Sequence, residues 1–281
     1  MTTPDTSAIS SSSALPEDRE TAGQLLYRWL DAPAVLPVGT FVLVVAFWEI
    51  ACHLFAIPTY MLPAPSRILT TGFSEITALR WLDHVWATLR VALLGYFISI
   101  AISLPIAIVL TKSKMLSRAL YPILVVVQST PVVAVAPIII VVLGSGDAPR
   151  IVITCLITFF PLVVSTATGL MATPPELIEL SKSLKAPVWR EITQIRLPYA
   201  VPYIFSALKI SITLAVIGAV VAEFVAAEKG IGYFIQFSTS FFKLPQAWAG
   251  LGILVLMSLI LFQLVALAQK LFFPWSIPKT Q

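Results

Sequence analysis

Six stretches of about twenty apolar residues, separated by short polar runs, constrain this chain more than any other feature. Lipid offers no partner to a backbone N–H or C=O, so a chain crossing it must do so as closed hydrogen-bonded helix or barrel. A hydrocarbon core of about 30 Å takes roughly 20 residues of helix. The stretches lie near 36–57, 91–110, 121–143, 151–170, 202–227 and 248–273. Only 11% of residues are charged and 58% are hydrophobic, whereas a soluble domain carries about 25% charge to coat its surface. The same apolar content excludes disorder over most of the length. The predicted fold class is all-α, a polytopic membrane protein with six transmembrane helices. Its net charge of +4 is spread too thinly to grip nucleic acid.

The ends and the loops set the organisation. Residues 1–22 read as a disordered, Ser/Thr-rich tail without the basic-then-apolar order of a signal peptide, and 23–281 as the membrane domain. Leu25, Leu26, Trp29 and Leu30 beside Arg28 form either a short interfacial helix or a plain linker. With the N-terminus inside, eleven Lys and Arg fall in inner segments and six in outer ones. That bias, with an even number of spans, predicts both termini in the cytoplasm. Cys52 and Cys155 sit inside apolar runs and read as small hydrophobes. His53 and His84 are isolated, so no metal site is expected.

The loop between the fourth and fifth spans, 171–198, reads MATPPELIELSKSLKAPVWREITQIRLP. Thr173 followed by Glu176 is a capping-box pattern, with Pro174 at the first helical position. Leu177, Ile178, Leu180, Ser181 and Leu184 then share one face. Glu176 and Glu179 lie toward the positive end of that helix, Lys182 and Lys185 toward its negative end. Pro187 ends it, and a second short helix with Trp189, Ile192 and Ile195 leads to Leu197 and Pro198. Such a helix either lies on its own bundle or docks into another protein's groove.

These residues resemble a cytoplasmic signature of permease subunits of bacterial binding-protein-dependent ABC importers: E-A-A, three residues, G, nine residues, I-x-L-P. Glu179, Ile195, Leu197 and Pro198 stand at the required spacing. Leu180 and Ser181 replace the two alanines, and Lys185 replaces the glycine. The segment from Pro198 through Gly230-Ile231-Gly232-Tyr233 is similar to permeases for sulfonates, taurine, nitrate and pyrimidine precursors. So are LPAPSRI (Leu62 to Ile68) and QSTPVVAVAPI (Gln128 to Ile138). The resemblance covers roughly Leu36 to Pro274. It implies the MetI-like type I importer permease fold, with 171–198 as the coupling loop and Glu176, Glu179, Leu180, Ser181, Leu184 and Lys185 meeting an ATPase. It also implies a multi-pass protein of the bacterial inner membrane in contact with lipid, a permease homodimer, two cytoplasmic ABC ATPase subunits and an extracytoplasmic solute-binding protein. The chain lacks a GxxxxGK[ST] loop, so ATP and Mg are expected on the partner ATPase and no cofactor on this chain. The expected cargo is a small organic or oxyanionic solute of sulfonate, nitrate, pyrimidine-precursor or aromatic-acid type, moved by alternating access.

Ionisable or helix-breaking residues inside spans mark further candidates. Glu223 is either a gate or structural pair at the outer mouth, or an interfacial charge reaching water. Lys209 is close enough to the inner face to snorkel. Glu49 and His53, one turn apart, do not make a site. Gln128, Ser129 and Thr130 precede Pro131, and with Pro137 they should bend or break the third span and expose backbone along a pathway. Ser165, Thr166 and Thr168 face the same pathway or bond their own helices. The rival readings are an ion-gradient-driven secondary transporter, which should show an internal repeat and paired carboxylates, and a membrane-embedded enzyme, which should show a catalytic constellation within the spans. Neither set of features is present in the sequence.

Overall fold

The computed structural model describes residues 35–74, 78–112 and 114–277, and every regular element among them is a helix. The tail, the Leu25–Leu30 stretch and the last four residues lie outside the described residues. The chain divides into two compact units, Met1–Ala56 and Ile57–Gln281. The first contributes helix α1 (Val35–Leu54). Its residues up to Trp48 are apolar save Thr40, as befits a helix surrounded by lipid or protein, and near its end the Glu49 carboxylate meets His53 Nε2 at 2.9 Å one turn on.

The second unit runs α2 (Pro65–Ser74), α3 (Ala78–Lys112), α4 (Lys114–Ser129), α5 (Val132–Leu143), α6 (Asp147–Met171) and α7 (Pro175–Ser183). A turn of helix, α8 (Val188–Arg190), and a π-helical segment (Glu191–Arg196) then lead into α9 (Leu197–Ala226). Helices α10 (Ile231–Ser240) and α11 (Leu244–Phe272) and a 3₁₀ turn (Pro274–Ser276) complete it. Among the described residues, five helices are long and apolar enough to cross a membrane, and six segments qualify if the bent α4–α5 pair counts as one.

Helices α3, α6 and α9 form the centre, and α11 packs on α9 and α10. Val91, Ala92 and Tyr96 of α3 meet Ile212, Ala215, Val216 and Ala219 of α9, with Leu254, Met257 and Leu261 of α11 closing the cluster. Small residues permit this approach. A Cβ on Gly218 would stand 2.9 Å from the Thr154 Cα, so any side chain there forces α9 away from α6. Hydroxyls stitch the same seam: Ser99 and Thr158 lie 2.5 Å apart, and Ser211 donates to the Thr158 carbonyl at 3.3 Å. Such bonds matter where water cannot substitute.

Several helices differ from their expected bounds. Helix α3 begins well before 91 and, at 35 residues, is about 50 Å long, more than a bilayer core needs. The third stretch is two helices meeting at 92°. Pro131 has no N–H and holds the chain extended (φ −69°, ψ 100°), whereas Pro137 remains inside α5. One proline makes the break. The capping box does not form. Thr173 Oγ1 turns back to the Leu170 carbonyl at 3.3 Å, Pro174 is the N-cap without a side-chain bond, and the helix starts at Pro175. The second short helix of the loop begins as the α-helical turn α8, continues as π-helix over Glu191–Arg196 and runs directly into α9. Outside the sequence expectations altogether lies α10.

Candidate functional site

Helix α7 and the π segment project between the ends of α6 and α9. Arg196 fixes their root. Its Nε donates to Glu191 Oε1 at 2.7 Å and its Nη1 approaches the Leu170 carbonyl at 3.4 Å, placing a cation on the negative end of α6. The expected single face of α7 is divided in two. Ser181 is buried and Ile178 half-buried, while Leu177, Leu180 and Leu184 are exposed by 38%, 56% and 73%. Residues 177, 180 and 184 share a stripe at helical spacing, flanked by exposed Glu176, Glu179 and Lys185. Beside it lies a cavity of about 490 Å³ lined by Leu177, Leu180, Ser181, Leu184 and Arg190 among others.

At the opposite end of α9, Glu223 is fully buried and does not reach water. Its Oε1 accepts from Thr88 Oγ1 at 2.8 Å and its Oε2 from the Gly232 N–H at 2.7 Å. Thr88 Oγ1 in turn accepts the Ile231 N–H at 2.8 Å, and His84 Nδ1 accepts the Gly230 N–H at 3.1 Å. A carboxylate thus caps the positive end of α10. Gly230 holds φ +128°, and a Cβ there would fall on the Glu223 carboxyl group. Trp81 packs against Phe234 at 4.7 Å between ring centroids. The sequence singles out Glu223 but leaves His84 isolated and gives Thr88 no motif; only this contact joins the two to the cluster.

Residues 99–276, well over half of the chain, match the family described as "Binding-protein-dependent transport system inner membrane component". The chain belongs to this family. Such a permease is a multi-pass inner-membrane transport subunit of MetI type in an ABC importer, and ATP hydrolysis lies on a separate subunit. The permease is 33% identical over 251 residues to the riboflavin transport system permease protein RibX of Chloroflexus aurantiacus, covering 89% of this chain and 92% of the relative. It is 30% identical over 242 residues to the formylaminopyrimidine transport permease protein ThiX of Halalkalibacterium halodurans, covering 86% and 96%. In fold it is similar to a chain of the inward-facing MetNI methionine ABC transporter, with TM-score 0.61, 21% identity, and coverage of 73% of this chain and all of that one.

The signature glycine position of the permease acquires a backbone reason. Lys185 has φ +51°. The Ala186 N–H reaches the Ser181 carbonyl at 3.0 Å and the Lys185 N–H the Lys182 carbonyl at 2.9 Å, the two bonds of a Schellman cap whose left-handed residue is usually glycine. Lys185→Gly should therefore stabilise the loop by about 1 kcal/mol. Slower amide exchange over residues 181–186 in the variant is the expected readout; faster exchange would contradict it.

The remaining candidates do not converge. Gln128, Ser129 and Thr130 are exposed at the α4–α5 break, but Ser129 and Thr130 donate to the carbonyls of Val125 and Val126 at 2.8 and 2.9 Å. Thr168 bonds the Val164 carbonyl at 2.8 Å, Ser165 is half-buried, and the buried Thr166 hydroxyl has no partner among the described residues. Lys209 is half-buried one turn beyond Phe205, whose ring meets Phe273, just past α11, at 5.3 Å.

Proposed function

We propose that this permease carries a small organic or oxyanionic solute across the inner membrane by alternating access, as a homodimer with two ABC ATPase subunits and a solute-binding protein. The observation that carries the reading is α7, an amphipathic helix outside the apolar bundle with its leucine stripe exposed. An uncovered stripe of this kind suits a partner's groove. Glu176, Glu179, Leu180, Leu184 and Lys185 meet the ATPase; Ser181, turned inward, seats the helix on its own root. ATP and Mg belong to the ATPase, and this chain holds no cofactor. Closure of the ATPase dimer moves α7, and the π segment passes that movement into α9.

Orientation follows the charge bias, with both termini cytoplasmic. Glu223 then stands at the outer mouth and holds α10 against α3 and α9 as part of the outer gate. Gln128, Ser129 and Thr130 line the pathway beside the break at Pro131. The relatives' names, riboflavin and formylaminopyrimidine transport, support a small organic solute, and sulfonates, nitrate and aromatic acids belong to the same range. Tagged permease should copurify an ABC ATPase and, with its binding protein, support ATP-dependent uptake in proteoliposomes. Uptake driven by an ion gradient without any ATPase would overturn the reading.

A further inference from the structure

One cavity is not absorbed by the coupling loop or by the Glu223 cluster. It lies at the end of the bundle opposite α7, has a volume of about 440 Å³, and is lined by Ser145, Gly146, Arg150, Ala227, Glu228 and Lys229. That size is within the range of small-molecule sites. Its wall is built. Arg150, only 12% exposed in its side chain, donates from Nε to the Gly146 carbonyl at 2.8 Å and from Nη2 to Asp147 Oδ1 at 2.8 Å. Two of the guanidinium's five N–H groups are thereby engaged, and the plane is fixed while the others stay available.

The charge balance favours an anion. Asp147 is shared between Arg150 and Arg90, so one carboxylate answers two guanidinium groups. Lys229 is exposed and makes no ion pair among the described residues; Glu228 is the opposing charge on the wall. Helix α6 opens here with Asp147 in its first turn and no side-chain cap at Gly146, so the acid that offsets the helix dipole is the same one the two arginines share. A preoriented guanidinium and an ammonium without an ion pair among the described residues together are the chemistry that recognises a carboxylate or sulfonate.

We propose that this cavity is a solute-binding site of the permease, receiving the oxyanion of an organic carboxylate or sulfonate at the outer mouth. The proposal rests on the reading of this chain as an importer permease and selects the oxyanionic part of its solute range. A carboxylate of the docked binding protein shares that chemistry and must be distinguished from a free solute.

The full chain, assembled with its ATPase in proteoliposomes and carrying Ser145→Cys in a Cys52→Ser, Cys155→Ser background, provides the test. The site is probed with 2-sulfonatoethyl methanethiosulfonate and its trimethylammonioethyl counterpart. Relative to their rates with free cysteine, the sulfonate reagent should react about tenfold faster than the cationic one. Millimolar methanesulfonate should slow labelling, whereas sodium chloride at equal ionic strength should not. Lys229→Gln should abolish that protection; Arg150→Lys, which keeps the charge and loses the fork, should weaken it. Equal protection by chloride, or protection only by the binding protein, would overturn the proposal. ATPase retention in the same vesicles shows separately whether the importer reading stands.

Discussion

Replacing Glu179 by Lys should lower both solute-stimulated ATP hydrolysis and uptake by at least about tenfold, the scale of a lost coupling energy of 1–3 kcal/mol. Glu179 is exposed on α7, so reversal of its charge leaves no buried group unpaired. Within the helix it adds a like-charge contact with Lys182, worth only about 0.2–0.5 kcal/mol. Membrane insertion and the thermal midpoint of the purified permease should therefore match wild type. The lost activity would then belong to the contact between α7 and its ATPase, where a misplaced charge facing a complementary groove costs far more than on a free surface. Glu179→Gln, which keeps the shape and removes the charge, should retain intermediate coupling. Full transport by the Lys variant would exclude this surface of α7 from coupling.

What could be read from the sequence follows from which forces are local. The six apolar stretches are visible because lipid imposes its demand on every residue of a span. The break at Pro131 is visible because the missing N–H and the restriction on Thr130 are properties of adjacent residues. Thr173 misled for the same reason. Its spacing to Glu176 fits a capping box, but Pro174 and Pro175 shift the helix start, and the hydroxyl returns to Leu170 instead. Lys185 conceals its left-handed backbone behind an ordinary side chain. Helix α10 was illegible because its anchors are remote. Residues 84, 88 and 223 come together around 230–232 only after α3 and α9 have packed. The cavity at Arg150 is illegible likewise, since Arg150 and Lys229 are far apart in sequence. The charge on its wall depends on how Asp147 divides itself between two arginines.

Glu223→Ala should produce the largest loss of stability. The substitution removes the acceptor for the Thr88 hydroxyl and the Gly232 N–H, both inside a fully buried cluster. Each donor left unsatisfied costs about 1–3 kcal/mol, so a total of roughly 2–4 kcal/mol is expected if the hydroxyl finds a partial substitute. The thermal midpoint of the purified permease should fall by about 5 °C or more. Exchange of the amides at Gly230–Tyr233 should accelerate, because these groups lose their anchor before the rest of the bundle opens. Glu223→Gln is the informative companion. Its amide oxygen still accepts one bond, but its NH₂ now meets the donor at the other, so its loss should lie between wild type and Ala. Gly230→Ala should resemble Glu223→Ala by another route, since its Cβ occupies the carboxyl position and φ +128° strains any side chain. All three variants should release α10 from α3, exposing the Ile231 and Gly232 amides together. A Glu223→Ala permease with wild-type midpoint and wild-type exchange at 230–233 would show that α10 is held by the Trp81–Phe234 contact and the apolar core alone, and that the buried carboxylate has no part in anchoring it.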